Sequence, residues 1–326
     1  MDEESILRHL AESIERLCLV DMRYHTEEPG VVGKIHAYAR KRQADVATLL
    51  AARGLVERVR AGDHVLITTG FVDTIMPHGE TDGPLGAAVL AWALRQGLGA
   101  QPHLLCEAEV IPPLEACCRV LGLSAPVEAF PQEDAPAKRR GRALLEQLAP
   151  KAFITVEKAG TNHKGVAHRL RGTALTAGRA RTEWLFRTLK AAGVFTVGIG
   201  DNGNELGTGL TRPAARRYLT YGRVCRCPCQ GGVANADVAD VTIIASISNW
   251  GAYGLEACLA ALQRSTDLVH SPQTEESLIT AAVAAGAVDG PVALSRNYVD
   301  AVPAYIHAHL VDMLRTMVGL YLGRVG

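Results

Sequence analysis

The sequence carries no excess charge of either sign, with 34 Lys and Arg against 34 Asp and Glu. That removes the field by which a basic chain gathers nucleic acid or an anionic membrane, and it points to a small-molecule ligand. No apolar run approaches the ~18 unbroken residues that mark a membrane span. The first residues, Met1-Asp2-Glu3-Glu4-Ser5, are acidic and lead into an amphipathic helix with Ile6, Leu7, Leu10, Ile14 and Leu17. This start lacks the basic and apolar regions of a secretory leader, so a cytoplasmic protein is expected. Eight cysteines in 326 residues are too few for a disulfide scaffold. There is no internal repeat, low-complexity tract or Ser/Pro-rich linker to mark a domain boundary.

What is there suffices for one large core or two smaller ones: 48% of the residues are hydrophobic and 21% charged. Residues 1–60 read as a helical segment packed on an α/β domain over 61–326. The second of its helices, near 34–53, carries Ile35, Tyr38, Val46, Leu49 and Leu50 and is expected to stop at Gly54. From Asp63 short apolar runs alternate with helical patterns. Strands are expected near 64–68, 102–106, 127–130, 152–156, 194–199 and 241–247. Helices are expected near 85–97, 113–121, 138–148, 181–192 and 252–263, and two more near 274–285 and 302–322 finish the chain. This alternation predicts a mostly parallel sheet with helices on both faces.

In such a sheet ligands lie beyond the carboxyl ends of the strands, where this sequence is unusually polar. The strands are followed by Gly79-Glu80-Thr81-Asp82-Gly83, Glu157-Lys158-Ala159-Gly160-Thr161-Asn162-His163, Gly198-Ile199-Gly200-Asp201-Asn202-Gly203-Asn204-Glu205 and Ser246-Ile247-Ser248-Asn249. The third loop has the Gly-x-Gly-x-x-Gly spacing of a dinucleotide site. It leads, however, into Leu210-Thr211-Arg212-Pro213, with no second strand ending in an acid at the usual distance. Asp201 would also face the pyrophosphate, so NAD is not expected.

Glu80, Asp82, Glu157, Asp201 and Glu205 are the acids at these strand ends. Brought together they need a cation or shifted pKa values, and an all-oxygen site suits Mg²⁺ or Mn²⁺. The start of the helix at Pro84 and a turn over Gly251–Gly254 offer amides to an anion. Lys158 and Lys164 could add positive charge, and His163, ahead of His78, is the candidate for proton transfer. Thr69, Gly83, Asn162, Asn204, Ser248 and Asn249 are candidates for holding a substrate. Cys225-x-Cys227-x-Cys229 has no further ligand pair at metal-site spacing. Alternate residues of an extended segment share a face, so these thiols are expected to pack as small apolar groups, without zinc or iron and dispensable for activity.

Taken in order, "GETDGPLGA", "VEKAGTNHKG", "GIGDNGNELGTG" and "SISNWGAYGL" resemble the motifs of the D-glutamate cyclase family over residues 30–320. The acids match at Glu80, Asp82, Asp201 and Glu205, and the second motif at Glu157, Lys158 and Asn162. Asn202, Leu206 and Thr208 stand where the family usually has glycine, isoleucine and methionine. The resemblance implies a hydro-lyase that converts D-glutamate to 5-oxo-D-proline with Mn²⁺ or Mg²⁺, in the stand-alone bacterial-type form. It implies metal ligands among Glu80, Asp82, Glu157, Asp201 and Glu205, and chemistry at Glu157, Lys158, His163 and Asp201. Another metal-dependent lyase or hydrolase of a small acid, or a non-catalytic amino-acid-binding protein, shares these features, and a homo-oligomer is compatible with them.

Overall fold

In the computed structural model, which describes residues 2–22, 29–175 and 178–325, the alternating segments form six strands. They are β1 (His64–Gly70), β2 (Gln101–Cys106), β3 (Val127–Ala129), β4 (Ala152–Lys158), β5 (Phe195–Gly200) and β6 (Val241–Ile244). All pair in parallel in the order β3-β2-β1-β4-β5-β6. The order reverses between β1 and β4. Loops leaving neighbouring strands part at such a point, which opens a crevice beyond the strand ends.

The two faces of the sheet follow from the alternation of side chains along each strand. Val65, Ile67, Ile154, Val156, Val197 and Ile199 belong to the larger core, with residues of α1 (Glu3–Cys18), α3 (Ala47–Arg58), α4 (Pro84–Leu98), α5 (Ile111–Val120), α9 (Ser248–Leu262), α10 (Pro272–Ala284) and α11 (Ala304–Val325). Leu66, Leu105 and Phe153 belong to a smaller core with α6 (Asp134–Leu148) and α7 (Thr182–Ala191). Over β4–β6 the polar and small residues Thr155, Gly198 and Thr242 receive a loop. Thr155 Oγ1 donates to the Leu206 carbonyl at 2.5 Å, Thr242 Oγ1 donates to the Gly207 carbonyl at 3.1 Å, and a Cβ on Gly198 would meet the Gly207 carbonyl carbon at 2.6 Å. The acidic loop after β5 is thereby fixed to the sheet.

The expected single helix over 34–53 is two helices, α2 (Val31–Arg40) and α3. Between them the Gln43 amide group pairs with the β6 edge, donating to the Thr242 carbonyl at 3.0 Å and accepting from its N–H at 2.8 Å. A side chain here satisfies an edge strand that a continuous helix could not reach. Gly54 does not end a helix. It lies inside α3, where the ring of Phe195 occupies the place of a Cβ, 2.3 Å from its built position.

The helix expected from Ala252 starts at Ser248, so Gly251 and Gly254 are interior to α9 and form no opening turn. Its early start has a cause in Asp82, whose two carboxylate oxygens accept from the Ser248 and Asn249 N–H groups at 2.9 and 2.8 Å. Asn249 returns the arrangement: its Oδ1 accepts from Gly83 N and Gly86 N at 2.9 Å each, and its Nδ2 donates to the Thr81 carbonyl at 3.1 Å. Each helix thus has its free amides capped by a residue at the start of the other. Replacing Asn249 by Ala leaves two buried amides without an acceptor and should lower unfolding stability by about 1–3 kcal/mol. Urea denaturation measures it; an unchanged midpoint would show that the exchange of caps contributes nothing.

Candidate functional site

The site begins with an irregularity at the end of β4. The β1–β4 register runs from Thr69 opposite Val156 to Gly70 opposite Lys158, which leaves Glu157 unpaired. Glu157 adopts φ 41°, a left-handed conformation that costs a residue with a side chain about 1–2 kcal/mol. Such a bulge re-aims a side chain, and here it puts Glu157 on the wall of a cavity at the switch point. Ser248 Oγ donates to its Oε2 at 2.5 Å.

Asp201 follows directly on β5. Four residues later comes Glu205, whose carboxylate accepts from the N–H groups of Asn202 and Gly203 at 3.0 and 2.8 Å. A Cβ on Gly200 would lie 2.3 Å from Glu205 Oε2. The glycine is therefore required so that the carboxylate can fold over the end of the strand. Two amides that a phosphate loop would present to its ligand are held by the loop's own acid.

Glu157, Asp201 and Glu205 each offer a carboxylate oxygen, and the three atoms lie within 4.8 Å of one another in a buried setting. Burial, then the charges of Asp201, Glu205, Asp82 and Glu80, push the Glu157 carboxyl well above the usual carboxylate range. Burial, then Asp201 by charge and by a hydrogen bond between the two carboxyls, does the same to Glu205. Three buried carboxylates at this spacing hold either protons or a cation. The donor set is all oxygen and fits a hard divalent ion. Glu80 also lines the cavity, and its carboxyl is raised by burial first and then by Asp300, Asp82, Asp201 and Asp289. Asp82 lines it too, with both oxygens engaged at the start of α9.

The cavity has a volume of about 250 Å³. Besides the acids, its wall carries Asp300, Asn204, Arg169 and Arg171 and the apolar Phe71, Met76 and Leu170. The Arg169 guanidinium is paired with Asp73 through Nε. Its Nη2, and Asn204 Oδ1, are buried without a hydrogen-bond partner among the described residues. Arg169, Arg171 and Asp300 did not emerge from the sequence reading. Two arginines spaced by one residue in the long segment after β4 were the available signal for the first two, while Asp300 lies far from every strand end of the sheet.

The other sequence candidates are placed elsewhere. Lys158 is fully buried in an ion pair with Glu107 and donates to the Gly70 carbonyl at 3.2 Å. His163 sits on an exposed turn, its pKa lowered by partial burial and by Arg212, Arg216 and Lys164. Lys164 Nζ donates to the Cys229 carbonyl at 2.7 Å, and His78 Nδ1 lies 3.2 Å from the Glu109 carbonyl. Asn162 spends its amide group on the loop: Oδ1 accepts from Lys164 N and Val166 N, and Nδ2 donates to the Gly232 carbonyl and to Cys229 Sγ. Thr69 is buried, with an Oγ1 unpartnered among the described residues, against Gly83. Gly83 and Asn249 serve the caps described above.

The three alternate cysteines do join a small apolar cluster. No ligand pair at metal-site spacing accompanies them, yet the fold brings a single distant one: His168, 59 residues before Cys227, has its Nε2 3.2 Å from Cys227 Sγ and 3.5 Å from Cys229 Sγ. Long-range folding supplies what local spacing did not.

Comparison with known proteins agrees with this arrangement of motifs. Residues 27–315 match the family described as D-glutamate cyclase-like, C-terminal. Human mitochondrial D-glutamate cyclase is 28% identical over 210 residues, which cover 61% of this chain and 33% of that protein. The chain thus spans about a third of the length of this curated relative. A solved actinorhodin polyketide ketoreductase variant with NADPH is 12% identical, covers 79% of this chain and 90% of its own, and has a TM-score of 0.29, too distant to carry an argument.

The raised carboxyls have a consequence for stability. Above the ordinary carboxylate range the folded state keeps protons that the unfolded chain has lost, so stability present at low pH is lost as pH rises through the raised values. Metal-free protein should therefore melt at lower temperature as pH climbs from about 5 to about 8, and added Mn²⁺ should reverse much of that loss. Gly200→Ala, which displaces Glu205, should weaken the Mn²⁺ effect. Thermal melts with chelator and with Mn²⁺ provide the measurement; identical curves in both would refute a cation site here.

Proposed function

Because the chain belongs to the D-glutamate cyclase-like family, we propose that it closes D-glutamate to 5-oxo-D-proline with release of water, using a divalent cation held by Glu157, Asp201 and Glu205. One observation carries the reading: three converging buried carboxylates stand beside a small cavity whose wall also carries Arg169 and Arg171. That combination suits a dicarboxylic amino acid, with one carboxylate drawn to each positive centre. The preference for the D enantiomer rests on the family and on the human relative.

In ring closure the α-ammonium gives up two protons and its nitrogen bonds to the γ-carboxyl carbon. One carboxyl oxygen leaves as water with both protons. Bound at the three acids, Mn²⁺ or Mg²⁺ would supply Lewis acidity toward the γ-carboxylate and stabilise the developing oxyanion. Arg169 and Asn204, both on the cavity wall, bind the α-carboxylate and the α-ammonium. Glu80, with a carboxyl raised above its usual range by burial and then by Asp300, takes a proton from the ammonium and returns one to the departing oxygen. This role passes to Glu80 from His163, which stands on the exposed turn. Phe71, Met76 and Leu170 cover the methylenes and exclude water, and the cavity volume favours the folded conformer in which amine and γ-carboxyl meet. Ser248, bonded to Glu157, and the first amides of α9, bonded to Asp82, fix the acids in place.

With Mn²⁺ or Mg²⁺ present, D-glutamate should yield 5-oxoproline much faster than L-glutamate does, as followed by NMR. Asp201→Asn should lower kcat/KM by about 10²-fold or more, the order seen when oxyanion stabilisation is lost. Arg169→Ala should mainly raise KM and Glu80→Gln mainly lower kcat. Absence of 5-oxoproline from folded, metal-loaded protein would remove the cyclase reading.

A further inference from the structure

We propose that His168, Cys225, Cys227 and Cys229 form a closed structural zinc site, distinct from the acidic centre. Their ligand atoms all lie within 4.8 Å of one another. Cys225 Sγ is 3.5 Å from Cys227 Sγ and 3.3 Å from Cys229 Sγ, and His168 Nε2 is 3.2 and 3.5 Å from the latter two. A tetrahedral ion bound at about 2.3 Å by thiolates and about 2.0 Å by imidazole would set edges of about 3.5–3.8 Å, so small outward shifts complete it. The spacing leaves room for a single ion and none for the irons and sulfides of a cluster.

The chemistry of the donors selects the metal. Three thiolates and an imidazole are soft and borderline ligands that favour zinc, whereas the carboxylates of the acidic centre favour manganese or magnesium. Zn²⁺ would replace the three thiol protons and take the lone pair of neutral His168 Nε2. All four positions are filled by protein and none of the four residues lines the cavity, which marks a structural site rather than a catalytic one. The Gly231 N–H and the Asn162 amide, at 3.3 and 3.4 Å, supply donors to Cys229 Sγ that suit a thiolate.

The site also answers a question of stability. Residues 219–240, between α8 (Arg212–Tyr218) and β6, contain no helix and no strand. So long an irregular stretch inside a domain needs a tie. Zinc would clamp it to the segment after β4, where His168 directly precedes Arg169–Arg171 of the cavity wall and where the Asn204 amide donates to the His168 carbonyl at 3.3 Å. The sulfur site thus holds the arginines against the acids.

The test reads metal content, so its outcome is separate from that of the cyclase reading. The full chain, expressed with zinc and purified without chelator, is dialysed against EDTA and analysed for metals. About one zinc per chain should remain and be released when a mercurial titrates the thiols. Protein grown with cobalt should show a thiolate-to-cobalt charge-transfer band and the intense visible bands of a tetrahedral ion. Cys227→Ser should lose most of the zinc and, by loosening the segment, speed trypsin cleavage after the exposed Arg223 and Arg226. The parent protein alone suffices should that variant fail to fold. Substoichiometric zinc with no cobalt–thiolate band, whether the thiols are free or oxidised, overturns the proposal, as does zinc retained in full by a folded Cys227→Ser.

Discussion

The crowding of buried carboxylates at the switch point of the sheet is the constraint around which the rest is arranged. Glu157, Asp201 and Glu205 approach within 4.8 Å out of water. The charged form of such a trio is unfavourable without a counter-ion. The surrounding structure holds them there nonetheless. A bulge with a left-handed Glu157 turns one acid inward, a glycine at the end of β5 makes room for another, and two amides of the loop grip the Glu205 carboxylate. Strain and repulsion of this kind persist only where packing over-determines them, and they are the mark of a site built for a ligand.

The cap exchange between α4 and α9 makes that packing rigid. Both helices begin at the crevice, and each would leave unsatisfied amides there. Asp82 and Asn249 close the two ends against each other, and Ser248, the first residue of α9, reaches Glu157. The larger core thus extends to the acids through hydrogen bonds. On the other face the sheet is covered over β4–β6 by the loop that carries Asp201 and Glu205. Its glycines and threonines are small so that backbone can lie on backbone. The cavity stands between this rigid floor and the segment bearing Arg169 and Arg171.

The sheet, its helices and the acidic strand ends were legible in the sequence because they depend on local patterns: periodicity two or 3.6, and the rule that loops at one edge of a parallel sheet converge. The split of the helix over 34–53 was not legible, since Gln43 breaks it to pair with a strand 199 residues away. Lys158 and His163 stood in the same motif as Glu157, as candidates for added positive charge and for proton transfer. One residue of bulge placed Glu157 in the cavity and sent Lys158 to Glu107, while the turn beyond left His163 in solvent.

By itself the sequence determined the α/β class, the family motifs and the set of acids from which a hard cation could be bound, because residue type and local order carry that information. Only the tertiary structure decided which acids meet, which arginines face them and that His168 joins the three cysteines. Those contacts join residues far apart in the chain, and their geometry depends on the register of β4, the start of α9 and the path of long irregular segments. No local pattern encodes these; the packing of the whole fold selects them.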